Sequence, residues 1–210
     1  MGSSHLSKSF ASLQASESEG ISYQRRVKMR KSALAIIAPH GGGIEPGTSE
    51  IAIAVAGFQF SYYTFDGLRQ SNNRSLHITS TLFDEPKCLQ LVNNSEIVIA
   101  IHGCVGEEKV VHVGGLHEKL KICLINALLK AGFDARVAGI NFAGTQVQNI
   151  CNRGRSGAGV QFEISEGLRR SMFKGLDRQN RRITTHVFRK FVTSVHQELK
   201  SIAQELHLIS

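Results

Sequence analysis

The fold of this chain is decided by residues 33–47, which read ALAIIAPHGGGIEPG. The apolar run at residues 33–38 predicts a buried strand that ends at His40. Three glycines follow, and they allow backbone conformations that turn the loop back over the strand end. Glu45, five residues after His40, is therefore expected close to that histidine.

A second apolar run, residues 96–101, ends in the same way at His102. Ligands of open α/β sheets bind outside the carboxyl ends of the strands, so the two histidines and Glu45 are expected at one site. His40, Glu45 and His102 form a three-ligand set that leaves a position for water, which is the pattern of a catalytic zinc. We predict one Zn²⁺ per chain. The alternative is that Glu45 and the histidines only hydrogen-bond a turn or the core.

The rest of the chain alternates between strands and helices. Strands are predicted at residues 21–30, 33–38, 61–65, 96–101, 133–138 and 160–165, with a short extended stretch at 76–83. Helices are predicted at residues 48–58, 85–93, 117–131, 166–173 and 182–207. This alternation indicates a single-domain α/β/α fold with a mostly parallel sheet.

Some details of this layout are also predicted. The strand at 21–30 is expected at the sheet edge, and the helix at 48–58 is expected to be capped by Thr48 or Ser49. Residues 1–20 are expected to form a polar segment, helical or loose, and residues 21–210 a single α/β domain.

Glu163 is the candidate catalytic carboxylate. In the strand at 160–165 it shares a face with Gln161 and Ser165, and a buried carboxylate needs a partner. A metal-activated water is such a partner, since a nearby Glu can take its proton. The alternative is an ion pair with an arginine of the preceding loop. Glu166 has the simpler explanation of an acid in the first turn of a helix.

Arginines are expected to bind substrate carboxylates or an oxyanion. Arg69 and Arg74 lie in one loop, and Arg153 and Arg155 lie in another. A guanidinium binds a carboxylate through two parallel hydrogen bonds. The alternative is that these are solvated loop charges. Cys104 is expected to be a core or supporting residue and not a nucleophile.

The formal net charge is +8, from 25 Lys and Arg against 17 Asp and Glu. It favours a polyanionic partner: nucleic acid, an anionic surface or an acidic polymer. No stretch is apolar and long enough to span a membrane, and the first residues lack the apolar core of a signal peptide. We therefore predict no membrane partner and a cytoplasmic location, with release by host-cell lysis as a further route. The four cysteines form no CxxC pair and are expected to be reduced.

Several stretches resemble the poly-γ-glutamate hydrolases of bacteriophages and bacilli, in order from about residue 21 to residue 170. They are APHGGGIEPGTSE, NRSLHITSTLFDEP, IAIHG, VGGL and NICNRGRSGAGVQFEIS. The resemblance implies a small α/β/α fold similar to zinc carboxypeptidases. It also implies hydrolysis of the γ-amide links of poly-γ-glutamate, an anionic polymer of bacterial capsules.

The resemblance assigns roles to individual residues. His40, Glu45 and His102 match the zinc ligands, and Glu163 matches the general acid/base. The spacing from His40 to Glu45 is longer than in ordinary carboxypeptidases, so their pocket details do not transfer.

Substrate binding is assigned more loosely. Asn73 and Arg74 are similar to the Asn-Arg pair that holds a substrate carboxylate in carboxypeptidases. His77 lies in the matching LHITS segment and is grouped with the substrate-binding residues without a specific role. Arg153 and Arg155 complete that group.

Other functions remain open. The charge would suit a phage or prophage nucleic-acid-binding protein, but no binding motif supports it. A serine hydrolase would need a GxSxG elbow, which residues 154–157 do not supply. A binding module without catalysis is opposed by Glu163, and a zinc hydrolase of another N-acyl or γ-glutamyl substrate also fits. We expect a monomer.

Overall fold

The computed structural model describes residues 9–205, and a seven-stranded mixed sheet organises them. The strands are β1 (Tyr23–Lys28), β2 (Leu34–Gly42), β3 (Ser61–Gly67), β4 (Ile97–Cys104), β5 (Val110–Gly114), β6 (Asp134–Val137) and β7 (Val160–Ser165). Their order is β1-β3-β2-β4-β7-β5-β6. The pairs β2–β3, β2–β4, β4–β7 and β5–β6 are parallel, while β1–β3 and β5–β7 are antiparallel. The predicted α/β class with a mostly parallel sheet is confirmed.

Helices cover both faces of the sheet. They are α1 (Phe10–Ser16), α2 (Thr48–Ala56), α3 (Pro86–Asn93), α4 (Glu118–Lys130), α5 (Glu166–Met172) and α6 (His186–Glu205). Short 3-10 turns lie at Asn73–Leu76, Ile140–Phe142, Ile150–Arg153 and Asn180–Arg182. Buried side chains of α2, α4, α5 and α6 form one core, and those of α1 and α3 form the other. None of the helices in the described part of the chain is long and apolar enough to cross a membrane.

Strand β2 is buried on both faces, which explains why it reads as a continuous apolar run. Ile36 faces the core of α2 and α6, while Ile37 faces the core of α1 and α3. Each side chain of this type contributes about 1.5–3 kcal/mol when fully buried. Strand β2 therefore fixes the centre of the fold and, with it, the position of the residues at its carboxyl end.

Most predicted elements are confirmed, and four details differ. Strand β5 was not predicted, because Gly114 at its end and Gly115 after it favour a loop. Residues 77–79 follow a 3-10 turn and pair with no strand. Helix α6 begins at His186, after a separate 3-10 turn, and its predicted end at 207 lies outside the described residues.

The predicted cap of α2 was wrong. The N-cap is Gly47, in a left-handed conformation with φ of 100°. The hydroxyl of Thr48 donates to the carbonyl of Glu45 at 2.9 Å, and that of Ser49 donates to the buried carboxylate of Asp66. Thr48 thus supports the turn before the helix, Ser49 joins the helix to β3, and neither hydroxyl caps the helix.

Candidate functional site

The glycine turn after β2 brings Glu45 back to His40, as the sequence predicted. The backbone N–H of Glu45 donates to the carbonyl of His40 at 2.8 Å. Gly42 has φ of 64°, a left-handed conformation that costs glycine little. A Cβ atom at Gly41 would lie 1.7 Å from the hydroxyl oxygen of Ser49, so only glycine fits there.

Three candidate metal ligands converge at this turn. Nδ1 of His40 lies 3.1 Å from Nδ1 of His102 and 3.3 Å from Oε1 of Glu45. Nδ1 of His102 lies 3.8 Å from Oε2 of Glu45. Ligands of a tetrahedral zinc at about 2.0–2.2 Å are about 3.3 Å from one another. The three separations therefore have the size that a zinc site requires.

The hydrogen bonds of His40 and Glu45 leave Nδ1 of His40 and Oε1 of Glu45 available to a metal. Nε2 of His40 lies 2.7 Å from the carbonyl oxygen of Ile78, so this nitrogen carries the proton and Nδ1 holds the lone pair. The backbone N–H of Gly103 donates to Oε2 of Glu45 at 2.8 Å. Nε2 of His102 is buried with no hydrogen-bond partner among the described residues. The contacts of His40 and Glu45 orient both side chains as metal ligands are oriented, and the donor set fits zinc.

His77 offers a competing fourth donor. Its ring stacks on that of His40 with centroids 3.8 Å apart, and its Nε2 lies 3.9 Å from Oε1 of Glu45. His40, Glu45 and His77 also have donor atoms within 4.8 Å of one another. The shorter separation between His40 and His102 favours His102 as the third ligand, and His77 then lines the site.

The electrostatics of the site keep Glu45 ionised. Burial raises the pKa of Glu45, but the imidazoles of His40 and His102 outweigh it and bring the pKa well below its ordinary value. Burial lowers the pKa of His102, yet the hydrogen bond that its ring donates to Glu45 and the charge of Glu163 raise the pKa overall. Burial and the neighbouring His40 lower the pKa of His77 to about 3. The cluster thus presents a carboxylate beside a neutral His77.

Glu163 lies beside this cluster on the sheet. It is the register partner of His102 in β4 and of His112 in β5. Burial, together with the charge of Glu45, raises the pKa of Glu163 to about 7, against the opposing effect of His102. A carboxyl group with this pKa can both accept and donate a proton near neutral pH.

Two cavities meet at the cluster, and both are lined by Glu45, His77, Phe142 and Glu163. The larger, of about 630 Å³, also includes side chains of both charges, from Arg74, Glu166, Arg169 and Arg170. The smaller, of about 430 Å³, has a neutral polar wall that includes Thr79, Ser80, Thr81, Thr145, Gln146 and Gln161. A substrate can therefore reach the cluster from either side.

Of the predicted substrate-binding residues, Arg74 and His77 line the larger cavity. Arg74 is exposed, as a carboxylate-binding residue requires. Asn73 is 8% exposed, and its amide bonds both the N–H (3.0 Å) and the carbonyl (2.8 Å) of Arg69. Asn73 therefore shapes the turn that carries Arg74.

Arg153 and Arg155 are not brought to the site. Arg153 donates to the carbonyl of Phe83 at 3.0 Å, and Arg155 donates to the carboxylate of Glu96 at 3.1 Å. Glu96 directly precedes β4, whereas His102 lies near its other end. The loop that carries both arginines leads into β7, which is parallel to β4. The loop therefore lies at the amino-terminal ends of these strands, whereas His102 and Glu163 lie toward their carboxyl ends. Neither arginine lines the two cavities.

Arg169 of α5 was not singled out as functional in the sequence, and it is only 4% exposed. Its guanidinium donates to the carbonyls of Pro46 (2.7 Å), Cys104 (2.9 Å) and Ile164 (3.0 Å). It thus joins the Glu45 turn to the ends of β4 and β7. The sequence feature that relates to the burial of Arg169 is Gly103, because a Cβ atom there would lie 2.7 Å from Cζ of Arg169.

Gln161 is a second residue that was not singled out as functional. Its Nε2 donates to the carbonyl of Phe142 at 3.0 Å and, more weakly, to Oε1 of Glu163 at 3.4 Å. Its Oε1 accepts from Nδ2 of Asn149 at 2.9 Å. Gln161 therefore links the candidate catalytic carboxylate to the loop that walls the smaller cavity.

The predicted position of Glu166 is confirmed, and the supporting role of Cys104 stays a prediction. Burial and the charge of Glu163 raise the pKa of the Cys104 thiol to about 11, which disfavours the nucleophilic thiolate. Glu166 lies in the first turn of α5 and accepts from Arg170 at 2.9 Å. Its carboxylate is thus explained by the helix and the ion pair.

An α/β sheet with a buried His–Glu–His cluster beside a carboxyl of raised pKa has the features of a hydrolytic enzyme. Comparison with known proteins agrees with this class. The profile of the poly-gamma-glutamate hydrolase family matches residues 7–194. The chain belongs to this family, and the resemblance noted in the sequence is confirmed.

Relatives and solved structures support the assignment. The UPF0714 protein YndL of Bacillus subtilis (strain 168) is 38% identical over 173 residues, which cover 81% of this chain and 68% of YndL. The SPbeta prophage-derived UPF0714 protein YoqZ of the same strain is 44% identical over 140 residues, 66% of this chain and 51% of YoqZ.

Two solved structures share the fold. A bacteriophage poly-gamma-glutamate hydrolase is similar with a TM-score of 0.92 and 32% identity, covering 95% of this chain and 98% of the other. A structure described as YNDL-apo (Zinc-free) gives a TM-score of 0.89 and 35% identity, over 93% and 98% of the two chains.

Proposed function

We propose that this chain is a zinc-dependent hydrolase that cleaves the γ-glutamyl amide bonds of poly-γ-glutamate. The observation that carries the proposal is the His40–Glu45–His102 triangle, with separations of 3.1, 3.3 and 3.8 Å, beside Glu163. The similarity to a bacteriophage poly-gamma-glutamate hydrolase supports the substrate class. The zinc-free description of the YndL structure supports the choice of metal.

His40, Glu45 and His102 would hold the metal. When bound, zinc supplies Lewis acidity, which polarises a carbonyl and lowers the pKa of a coordinated water from about 15.7 to about 7. The ligands are preset for this role, because Ile78 fixes the tautomer of His40 and Gly103 orients Glu45. Such fixed outer contacts sharpen both affinity and geometry.

Glu163 would move the proton. As the water oxygen bonds to the γ-carbonyl carbon, Glu163 accepts a water proton and then donates it to the departing nitrogen as the C–N bond breaks. The second water proton passes from the new carboxyl group to the amine, so the products are a carboxylate and an ammonium group and both water protons are accounted for. A pKa of about 7 lets one carboxyl group serve both steps.

Arg74 would hold a substrate carboxylate. Poly-γ-glutamate keeps a free carboxylate on every residue, and Arg74 lies exposed on the wall of the larger cavity. A guanidinium binds such a group through two parallel hydrogen bonds. The net charge of +8 would draw the polymer toward the protein. The prophage-derived relative suits a role in degrading capsule polymer.

The test is cleavage of purified poly-γ-glutamate, followed by size-exclusion chromatography and by the release of new amino groups. Activity should disappear on chelation and return when about one equivalent of zinc per chain is added. Cleavage that is unaffected by complete metal removal would refute the proposal. Cleavage of other γ-glutamyl amides with the polymer left intact would assign the enzyme a different substrate.

A further inference from the structure

The loop between α5 and α6 is strongly basic. Residues 173–184, here called the basic loop, contain the cations Lys174, Arg178, Arg181 and Arg182. The loop has one acid, Asp177, and this carboxylate accepts from the backbone N–H groups of Gln179 and Asn180 at 3.1 Å each. Its lone negative charge is therefore used to hold the turn.

The backbone gathers these cations on one small surface. Phe173 and Thr184 form an antiparallel bridge, and the N–H of Lys174 donates to the carbonyl of Ile183 at 2.9 Å. Lys174 and Arg182 are thus brought close together although eight positions separate them. The loop is a fixed platform for its charges and not a flexible connection.

One of the four cations anchors the platform. Arg181 is 7% exposed, donates to the carboxylate of Glu50 in α2 at 3.1 Å, and also donates to the carbonyl of Leu176. Lys174, Arg178 and Arg182 are exposed, and within residues 9–205 none of the three forms an ion pair. Three cations are therefore available to an outside partner.

The platform adjoins the active-site cleft. Leu176 of the basic loop and Arg170 of α5 both line the larger cavity, beside Glu163 and Arg169. A long chain that leaves the cavity on this side passes onto the basic loop. A short substrate that fills only the cavity does not reach the three exposed cations.

We propose that the basic loop is a secondary binding surface for the polyanionic chain outside the cleft. The proposal rests on the proposed function for the identity of the chain, poly-γ-glutamate. Regularly spaced carboxylates would exchange among Lys174, Arg178 and Arg182, which raises the local polymer concentration at the cleft. The contacts are exposed and electrostatic, so salt screens them over about 8 Å at physiological ionic strength.

The test compares two variants of equal charge. The loop variant carries Lys174→Gln, Arg178→Gln and Arg182→Gln. The distal variant carries three substitutions of exposed lysines that line neither site cavity, Lys119→Gln, Lys130→Gln and Lys200→Gln. Binding of fluorescently labelled poly-γ-glutamate is measured by anisotropy with a chelator present, so that turnover does not interfere. Salt is varied in each titration.

The loop variant should bind the polymer about tenfold more weakly at low salt, because it lacks three exposed charge contacts. Its affinity should depend less on salt, and at high salt it should approach that of the parent protein. The distal variant should bind about as tightly as the parent. Equal losses in both variants would show a general charge effect, and no loss in either would overturn the proposal.

The same proteins separate this proposal from the proposed function. If the parent protein cleaves the polymer and the loop variant binds it normally, the binding role of the basic loop is refuted and the hydrolase function is supported. If the loop variant loses binding but the metal-loaded parent does not cleave the polymer, the binding surface is supported and the hydrolase function is refuted. Tighter, equally loop-dependent binding of duplex DNA would assign the surface to nucleic acid and overturn the proposal.

Discussion

His102 and Glu163 are register partners on the neighbouring parallel strands β4 and β7. The candidate ligand and the candidate base are therefore held by one hydrogen-bonded ladder, at the edge where the Glu45 turn closes over the sheet. Arg169 donates to the backbone at Pro46, Cys104 and Ile164 and joins these three segments. The site is thus positioned by the sheet and by one buried arginine, and its parts can be tested separately.

The ligand assignment predicts that His102→Ala loses most of its zinc and stays folded. The substitution removes a nitrogen that lies 3.1 Å from Nδ1 of His40, so two ligands remain. Metal content by elemental analysis and the fold by circular dichroism would check this. His77→Ala should retain most of its zinc, and His186→Ala, at an exposed position, should match the parent. Loss of zinc from His77→Ala alone would assign the third ligand to His77.

Substrate capture predicts a higher KM for Arg74→Ala, by about tenfold, with a smaller change in kcat. The substitution removes a bidentate donor from the cleft wall, and fewer charge contacts then remain for salt to screen. Initial rates across a salt series would measure both effects. Arg155→Ala is the matched control, because Arg155 pairs with Glu96 at the opposite edge of the sheet. Parallel behaviour of the two variants would remove Arg74 from the site.

The buried arginine predicts a stability effect. A lysine at position 169 keeps the charge but cannot reach the three carbonyls that the planar guanidinium joins. Arg169→Lys should lower the free energy of unfolding by about 1–3 kcal/mol, the cost of leaving buried polar groups unpaired. Denaturant titration would measure it. Arg170→Lys, at an exposed position, should change little, and equal stability of the two variants would contradict the role given to Arg169.

The raised pKa of Glu163 predicts how the stability of the metal-free protein depends on pH. This pKa is 4.5 in the reference state and about 7 in the fold, so the folded protein retains the proton over that window. The resulting stabilisation is fully present below about pH 4.5 and is lost as the pH rises through about 7. Glu163→Gln does not titrate, so its stability relative to the parent should increase over this window and then level off.

Urea titrations with a chelator present, from about pH 4.5 to about pH 8, would check this. The comparison with Glu163→Gln removes the other titrating groups. It also removes the opposite effect of His77, whose pKa of about 3 makes the protein gain stability as the pH rises toward 6.5. A stability difference that does not change with pH would show that Glu163 has an ordinary pKa.

The sequence predicts the centre of the fold well, because buried parallel strands leave a strong local signal. Strands β2 and β4 are apolar runs, β7 alternates apolar and polar residues, and the glycines after His40 predict the turn that returns Glu45. Strand β5 is harder to predict. Val110, Val111 and Val113 favour a strand, but the run is short and ends at a glycine, and its pairing with β7 and β6 defines it.

The positions of three arginines could not be predicted from the local sequence. Arg153 and Arg155 are close to Glu163 in the sequence, but they lie before β7 and Glu163 lies near its end. Arg169 reads as a helix-surface residue, and only the close approach of Gly103 and Pro46 in space buries it. Contacts between segments distant in sequence decide such cases, and no local pattern records them.

If Glu163 moves the proton beside a metal held by His40, Glu45 and His102, replacing Glu163 should remove catalysis and leave zinc binding intact. The most direct measurement is kcat for poly-γ-glutamate cleavage by Glu163→Gln and Glu166→Gln, each verified to hold one zinc per chain. Glu163→Gln keeps the size of the side chain but cannot accept a proton, so kcat should fall by a factor of about a hundred or more. Glu166→Gln should stay within about threefold of the parent, because Glu166 serves the first turn of α5 and its pair with Arg170. An active Glu163→Gln beside an inactive Glu166→Gln would contradict the account and move the catalytic carboxylate to the start of the helix.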